Sequence, residues 1–169
     1  RYLPLSLGPE VRRYVREADR GGASDKIDFR VRGDLWDLPY HLPGADGEFR
    51  VVANLGGVDF AYLPPYLQSA GEPAWPALKA VTGQMVLERA SLQLKGLAAG
   101  VDGLPKVRLS EGEVTVANLM VSPTLALSAR AQGPASEVLD FVRGSPVNGL
   151  IGGALARTTG TGAAGVGFK

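Results

Sequence analysis

Along a series of short segments the apolar residues fall on one parity only, and that pattern commits most of the chain to β-sheet. Ile27, Phe29 and Val31 alternate with Lys26, Asp28, Arg30 and Arg32. Phe49, Val51, Ala53 and Leu55 alternate with Glu48, Arg50 and Asn54, and only Val52 is out of step. The pattern continues through Val58, Phe60 and Tyr62, then Val81, Met85 and Leu87, then Leu92 and Leu94. Val107 and Leu109, Val114 and Val116, and finally Leu125, Leu127 and Ala129 complete it. Successive side chains of a strand point to opposite faces, so such segments build a sheet with one apolar and one polar face. Function then turns on what the apolar face touches.

Charge and composition remove several alternatives. Among 169 residues, Lys and Arg number 18 and Asp and Glu 17, giving a net charge of +1. Phosphate-backbone binding needs a clustered basic surface, so nucleic acid is not expected as a partner. Cysteine is absent, which excludes disulfides and thiolate metal sites. His41 is the single histidine and cannot build a multi-histidine metal centre. No apolar stretch approaches the ~20 residues of a membrane helix. The chain opens Arg1-Tyr2-Leu3-Pro4 without a Met, and it is read as one piece of a longer protein.

Turn and helix signals divide the chain. Residues 1–7 read as a strand end. A helix is expected over 8–22, with Pro9 at its first position, an apolar stripe of Val11, Tyr14, Val15 and Ala18, and Gly21-Gly22 as its stop. Strands are expected at about 25–34, 48–55, 57–63, 80–89, 91–98, 104–110, 112–119 and 124–132, all within a β-region at 24–132. Gly56-Gly57 reads as a hairpin turn. Residues 64–79, with Pro64, Pro65, Pro73 and Pro76, read as a long crossing connection. Helices are expected within 133–157, and 160–169 reads as an extended start of a second unit. The order of helix, Gly-rich link and strand thus occurs at both ends, a faint internal repeat. The fold class is mainly β with short helices, with antiparallel neighbours joined by short turns.

No motif carries catalysis. Gly160-Thr161-Gly162-Ala163-Ala164-Gly165 matches G-x-G-x-x-G, but a dinucleotide site needs a strand before it and a helix after it, and here that order is reversed. Asp34 and Asp37, and Asp46 and Glu48, are carboxylates close in sequence, and turn formation accounts for them better than acid–base work. Arg12, Arg13, Arg16 and Arg20 along the first helix read as a solvated face, with anionic headgroups as the alternative. No enzyme activity and no cofactor are expected. The alternating apolar residues allow two readings: a core closed by a second layer, or a groove left open for an apolar ligand. Three short helical stripes are too few to cover about eight strands.

Several stretches, in this order and spacing, resemble the YhdP group of AsmA-like proteins. They are Ile27-Asp28-Phe29-Arg30-Val31-Arg32-Gly33-Asp34-Leu35, Gly47 through Val51, Trp75-Pro76-Ala77-Leu78 followed by Val81-Thr82-Gly83, and Gly133-Pro134 followed by Phe141 through Val147. The resemblance runs from about residue 2 to residue 165. It implies a long curved antiparallel sheet forming a U-shaped β-groove, with helices at the ends or edges of each repeat. It also implies a large parent anchored in the inner membrane of a Gram-negative-type bacterium and extending through the periplasm. Such proteins look like bridges that pass phospholipid toward the outer membrane and maintain its permeability barrier. The implied partners are phospholipid acyl chains, neighbouring repeats of the same chain and other envelope proteins.

On this reading the groove lining is Ile27, Phe29, Val31, Phe49, Val51, Leu55, Val58, Phe60, Tyr62, Val81, Met85, Leu87, Leu92, Leu94, Val107, Leu109, Val114, Val116, Leu125 and Leu127. Exposing a lipid tail to water costs ~0.8 kcal/mol per methylene, so two tails of about fifteen methylenes cost roughly 24 kcal/mol. A conduit therefore needs a continuous apolar stripe. About eight strands at ~4.8 Å give a length near 38 Å. The alternative is a structural or interaction β-domain of an envelope-assembly protein with a closed core.

Overall fold

The computed structural model describes residues 9–121 and 124–168, so the strand end expected at 1–7 lies outside the described residues. The chain begins with helix α1 (Pro9–Ala18), followed by strands β1 (Asp19–Gly33), β2 (Gly47–Phe60), β3 (Leu78–Glu88), β4 (Ser91–Val101), β5 (Leu104–Val116) and β6 (Leu125–Pro134). Helices α2 (Ala135–Arg143) and α3 (Val147–Leu150) then lead to strand β7 (Ala163–Phe168). The seven strands form one sheet in sequence order, and every neighbouring pair is antiparallel. The sheet is open and does not close into a barrel, which suits a β-groove. Among the described residues β1 and β7 are its edges.

Three expectations are corrected. First, α1 ends at Ala18, and Gly21 and Gly22 already belong to β1. Gly22 is needed for close approach, since a Cβ there would lie 2.5 Å from Val58 Cα. Second, Gly56-Gly57 is no hairpin turn but an irregularity inside the single strand β2, where Leu55 pairs with Gly83 and Val58 with Val81. Three residues on β2 span two on β3, which is a β-bulge. In the same way the expected strands at 104–110 and 112–119 are one strand, β5, with its bulge between Leu109 and Gly112. Among the described residues the sheet therefore has seven strands rather than about eight, and six spacings of ~4.8 Å give a width near 29 Å.

Third, residues 61–77 join β2 to its direct neighbour β3 and cross nothing. This connection packs against α1 instead. Tyr14 Oη donates to the Tyr62 carbonyl at 2.9 Å, and the Ala61 N–H donates to the Ala18 carbonyl at 2.8 Å. The Arg13 guanidinium sits 3.9 Å from the centre of the Tyr66 ring, a cation–π contact. The segment expected to be extended near the C-terminus is strand β7, which pairs with β6 in this same sheet.

The meander gives the sheet two unlike ends. One end carries α1, the 61–77 connection, the Asp102-Gly103 turn and the α2–α3 link. The other carries the loops 34–46 and 117–121 and the tight turn at Arg89-Ala90. Bulges lie in the interiors of β1, β2, β4 and β5, between the two ends. Buried core residues are mostly small: Ala53, Val81, Ala99, Val101, Val107, Val116 and Ala131.

Candidate functional site

Antiparallel registry places directly opposed residues on the same face. Following it from strand to strand yields two continuous apolar rows. The first is Phe29–Val51–Leu87–Leu92–Val116–Leu125. The second is Ile27–Ala53–Met85–Leu94–Val114–Leu127. Each row crosses six strands with no polar residue. Val31 and Phe49 begin a third row beside them, and the Phe29 and Phe49 rings meet edge to face with centroids 5.8 Å apart. Five spacings of ~4.8 Å make each row about 24 Å long.

This face is accessible along most of the rows, with Ala53 and Val116 buried within them. Ile27, Phe29 and Leu125 are each 62% exposed and Leu127 is 50% exposed, values uncommon for side chains that belong to a closed core. Val51, Met85, Leu87, Leu92, Leu94 and Val114, in the central strands, are partly exposed. An exposed contiguous apolar patch of this kind marks a surface that meets something apolar.

Beyond the bulges the same face continues toward the helical end but becomes closed. Val58 pairs with Val81, Phe60 with Leu78, Leu78 with Val101, and Leu109 with both Ala99 and Ala131. Val81, Val101 and Val107 are buried, so Val81 and Val107 are core in this structure rather than accessible lining. Tyr62 lies past the end of β2, with its ring against Trp75 at 6.0 Å, and its phenol is pushed up to about 12 by burial. It belongs to the helix-end packing and not to the rows. Leu55 stands at the bend, opposite Gly83, with Leu97 opposite Gly112 farther along the sheet. Large residues there lie over glycines, which lets the strands come close.

The opposite face is polar. Arg30 faces Arg50, Arg50 faces Glu88, and Asn54 faces Gln84. Val52, out of step in the sequence, pairs with Val86 on this face, with Asp28 and Gln93 as outer neighbours. Two concavities line it, one around Lys26, Arg30, Arg50 and Asn54, the other around Lys79, Gly100, Asp102 and Arg108. Beside the second, the Asp59 carboxylate is held below its ordinary range, first by the Ala80 N–H at 2.9 Å and then by Lys79 Nζ at 3.0 Å.

The remaining sequence candidates take structural roles. Asp34 accepts from the Trp36 N–H at 3.0 Å and caps a short 3-10 turn at Leu35–Asp37. Gly160 through Gly165 runs from a turn into β7, without the strand-then-helix order a pyrophosphate site requires. Arg13 pairs with Glu17 at 3.0 Å. Sequence reasoning missed Leu97, Ala99 and Val101, which carry the inward face of β4 beyond Gly96. The switch from even to odd apolar positions around that glycine was the available signal. It also missed Tyr40, which is fully buried with its ring on Gly47 and Gly33.

A family model described as YhdP protein matches residues 1–169. No curated protein and no solved structure matches the chain. The matched family is one of cell-envelope proteins. No helix among the described residues is long and apolar enough to cross a membrane.

Proposed function

We propose, from the premise that the chain belongs to the YhdP family, that it is a segment of a periplasmic conduit carrying phospholipid acyl chains between the inner and outer membranes. The observation that carries this reading is the pair of uninterrupted apolar rows across β1–β6 on a face left open at β1 and β6. One acyl tail is about half of a ~30 Å hydrocarbon core, so a ~24 Å row exceeds one tail length. Two rows stand two residues apart along each strand, roughly 6.8 Å, which suits two tails lying side by side.

Transport by this face needs no catalytic group. A tail leaving the bilayer loses ~0.8 kcal/mol of stabilisation per exposed methylene, and an unbroken apolar lining restores much of it at every position along the path. Equal stabilisation at successive positions leaves no deep trap, so the lipid slides. The headgroup stays in water. We assign the protein no enzyme activity; the rows supply binding alone. The scaffold alternative, a β-domain with a closed core, is disfavoured by the exposure of Ile27, Phe29, Leu125 and Leu127.

A photo-reactive amino acid placed at Leu127 or Leu94 in the parent protein tests this in cells. Phospholipid adducts are expected there and not at Thr115 or Ala126 on the polar face. Equal labelling at both sets, or adducts at neither, overturns the conduit reading.

A further inference from the structure

The polar face carries a second, chemically different site. Lys26, Asp28 and Arg30 of β1, Arg50, Val52 and Asn54 of β2, and Gln84 of β3 surround a cavity of about 250 Å³. Three cationic side chains meet one carboxylate there. The carboxylate neutralises little, because Asp28 Oδ1 stands 3.7 Å from Arg30 Nε and both side chains are more than half exposed. Arg30 and Arg50 are directly opposed across β1 and β2. Like charges in that position repel and weaken strand pairing. Arg50 Nε is buried and meets no acceptor among the described residues. Glu88, opposite Arg50 on β3, forms no ion pair with it among the described residues.

A buried guanidinium N–H without an acceptor, beside a second arginine and a lysine, is the donor set of an anion site. On the far side Gln84 Nε2 donates to Asn54 Oδ1 at 3.4 Å, and both amide side chains line the cavity. The volume corresponds to about eight waters, too little for a drug-sized ligand and enough for one compact polyatomic group. The lining comes from three strands, and a polyatomic oxyanion with three or more oxygens can meet donors on all of them where a planar carboxylate presents only two. We infer that Lys26, Arg30 and Arg50 bind a phosphate-class oxyanion on the polar face of the sheet. The site lies on the face opposite the apolar rows and does not rest on the conduit reading.

Inorganic phosphate titrated into the isotope-labelled 169-residue chain tests the site. Backbone amides at 26–30, 50–54 and 84 should shift saturably. Arg50→Gln and Arg30→Gln should each weaken phosphate about tenfold or more, as expected when one charge-assisted hydrogen bond is lost. Lys106→Gln, at the helical end, should leave the affinity unchanged. Arg30 is 61% exposed on an edge strand, so its variant keeps the fold even where Arg50→Gln does not. Phosphate should raise the thermal midpoint of the native chain and not that of Arg30→Gln.

Vesicles of phosphatidylcholine with and without phosphatidylglycerol separate the two sources of the anion. Binding to the anionic vesicles that is lost in Arg30→Gln and competed by phosphate identifies a lipid headgroup. Saturable phosphate binding with no such vesicle binding identifies a free phosphate-class ligand. Shifts that do not saturate, or that are as strong in both arginine variants as in the native chain, overturn the site.

Discussion

Placing a carboxylate on one row and then on the adjacent residue of the same strand separates the apolar face from everything else about the protein. Leu127 lies on the second row opposite Val114, while Ala126 lies on the polar face opposite Thr115. Both are exposed, so Leu127→Asp and Ala126→Asp insert the same charge at nearly the same place on opposite sides of β6. Leu127 is already 50% exposed, so the substitution removes only about half the burial of a leucine, roughly 1 kcal/mol of folding stability. Its effect on a bound tail is larger. One strand crossing covers ~4.8 Å, or about five methylenes of a tail whose fifteen or so span ~15 Å. At ~0.8 kcal/mol each, halved because the sheet covers one side of the tail, the loss is about 2 kcal/mol. That is roughly thirtyfold in affinity. Titration with a fluorescent long-chain fatty-acid analogue reads the affinity, and urea midpoints confirm that both variants fold. A thirtyfold loss for Leu127→Asp with little change for Ala126→Asp is expected. Equal losses, or no loss in a folded Leu127→Asp protein, would refute the assignment of faces.

Three further outcomes follow from the packing. Gly83→Ala should cost about 1–3 kcal/mol by urea unfolding, because the new Cβ would stand 2.9 Å from the Lys95 carbonyl oxygen at a backbone φ of +140°. Tyr40→Ala should cost about 3–5 kcal/mol, whereas Tyr40→Phe should be close to neutral, because the buried Tyr40 hydroxyl meets no partner among the described residues. Asp59 has a lowered pKa, so its ionised form favours the fold. That contribution is complete above the ordinary carboxyl range near pH ~4 and is lost as pH falls through the lower folded value; Asp59→Asn should flatten the acid limb of urea midpoint against pH.

Parity made the two faces legible in the sequence, because a period of two is fixed by strand geometry and the polar partners were mostly charged. It also identified β1, β3 and β6 as single strands. It misdivided β2 and β5, where a bulge shifts the apolar positions by one and so looks like a turn between two strands. Gly57, at φ +70°, is the kind of residue that serves either purpose, and only the pairing partner distinguishes them. The 61–77 connection was misplaced because its prolines exclude a central strand without indicating which strand comes next. Which half of the apolar face is open was not legible at all. Val81 and Leu127 have the same pattern around them, and their burial differs because of tertiary position alone. The cationic cavity was hidden for a related reason: Arg30 and Arg50 lie twenty residues apart and meet only through the β1–β2 register.

Paramagnetic broadening by a spin-labelled acyl chain tests the occupancy of the apolar face most directly. The account predicts that methyl signals of Leu87, Leu92, Leu94, Val114 and Leu127 broaden together, while those of Val52, Val86 and Ala126 on the reverse side stay sharp. Broadening spread evenly over both sets, or confined to the loops at the ends of the strands, would contradict it.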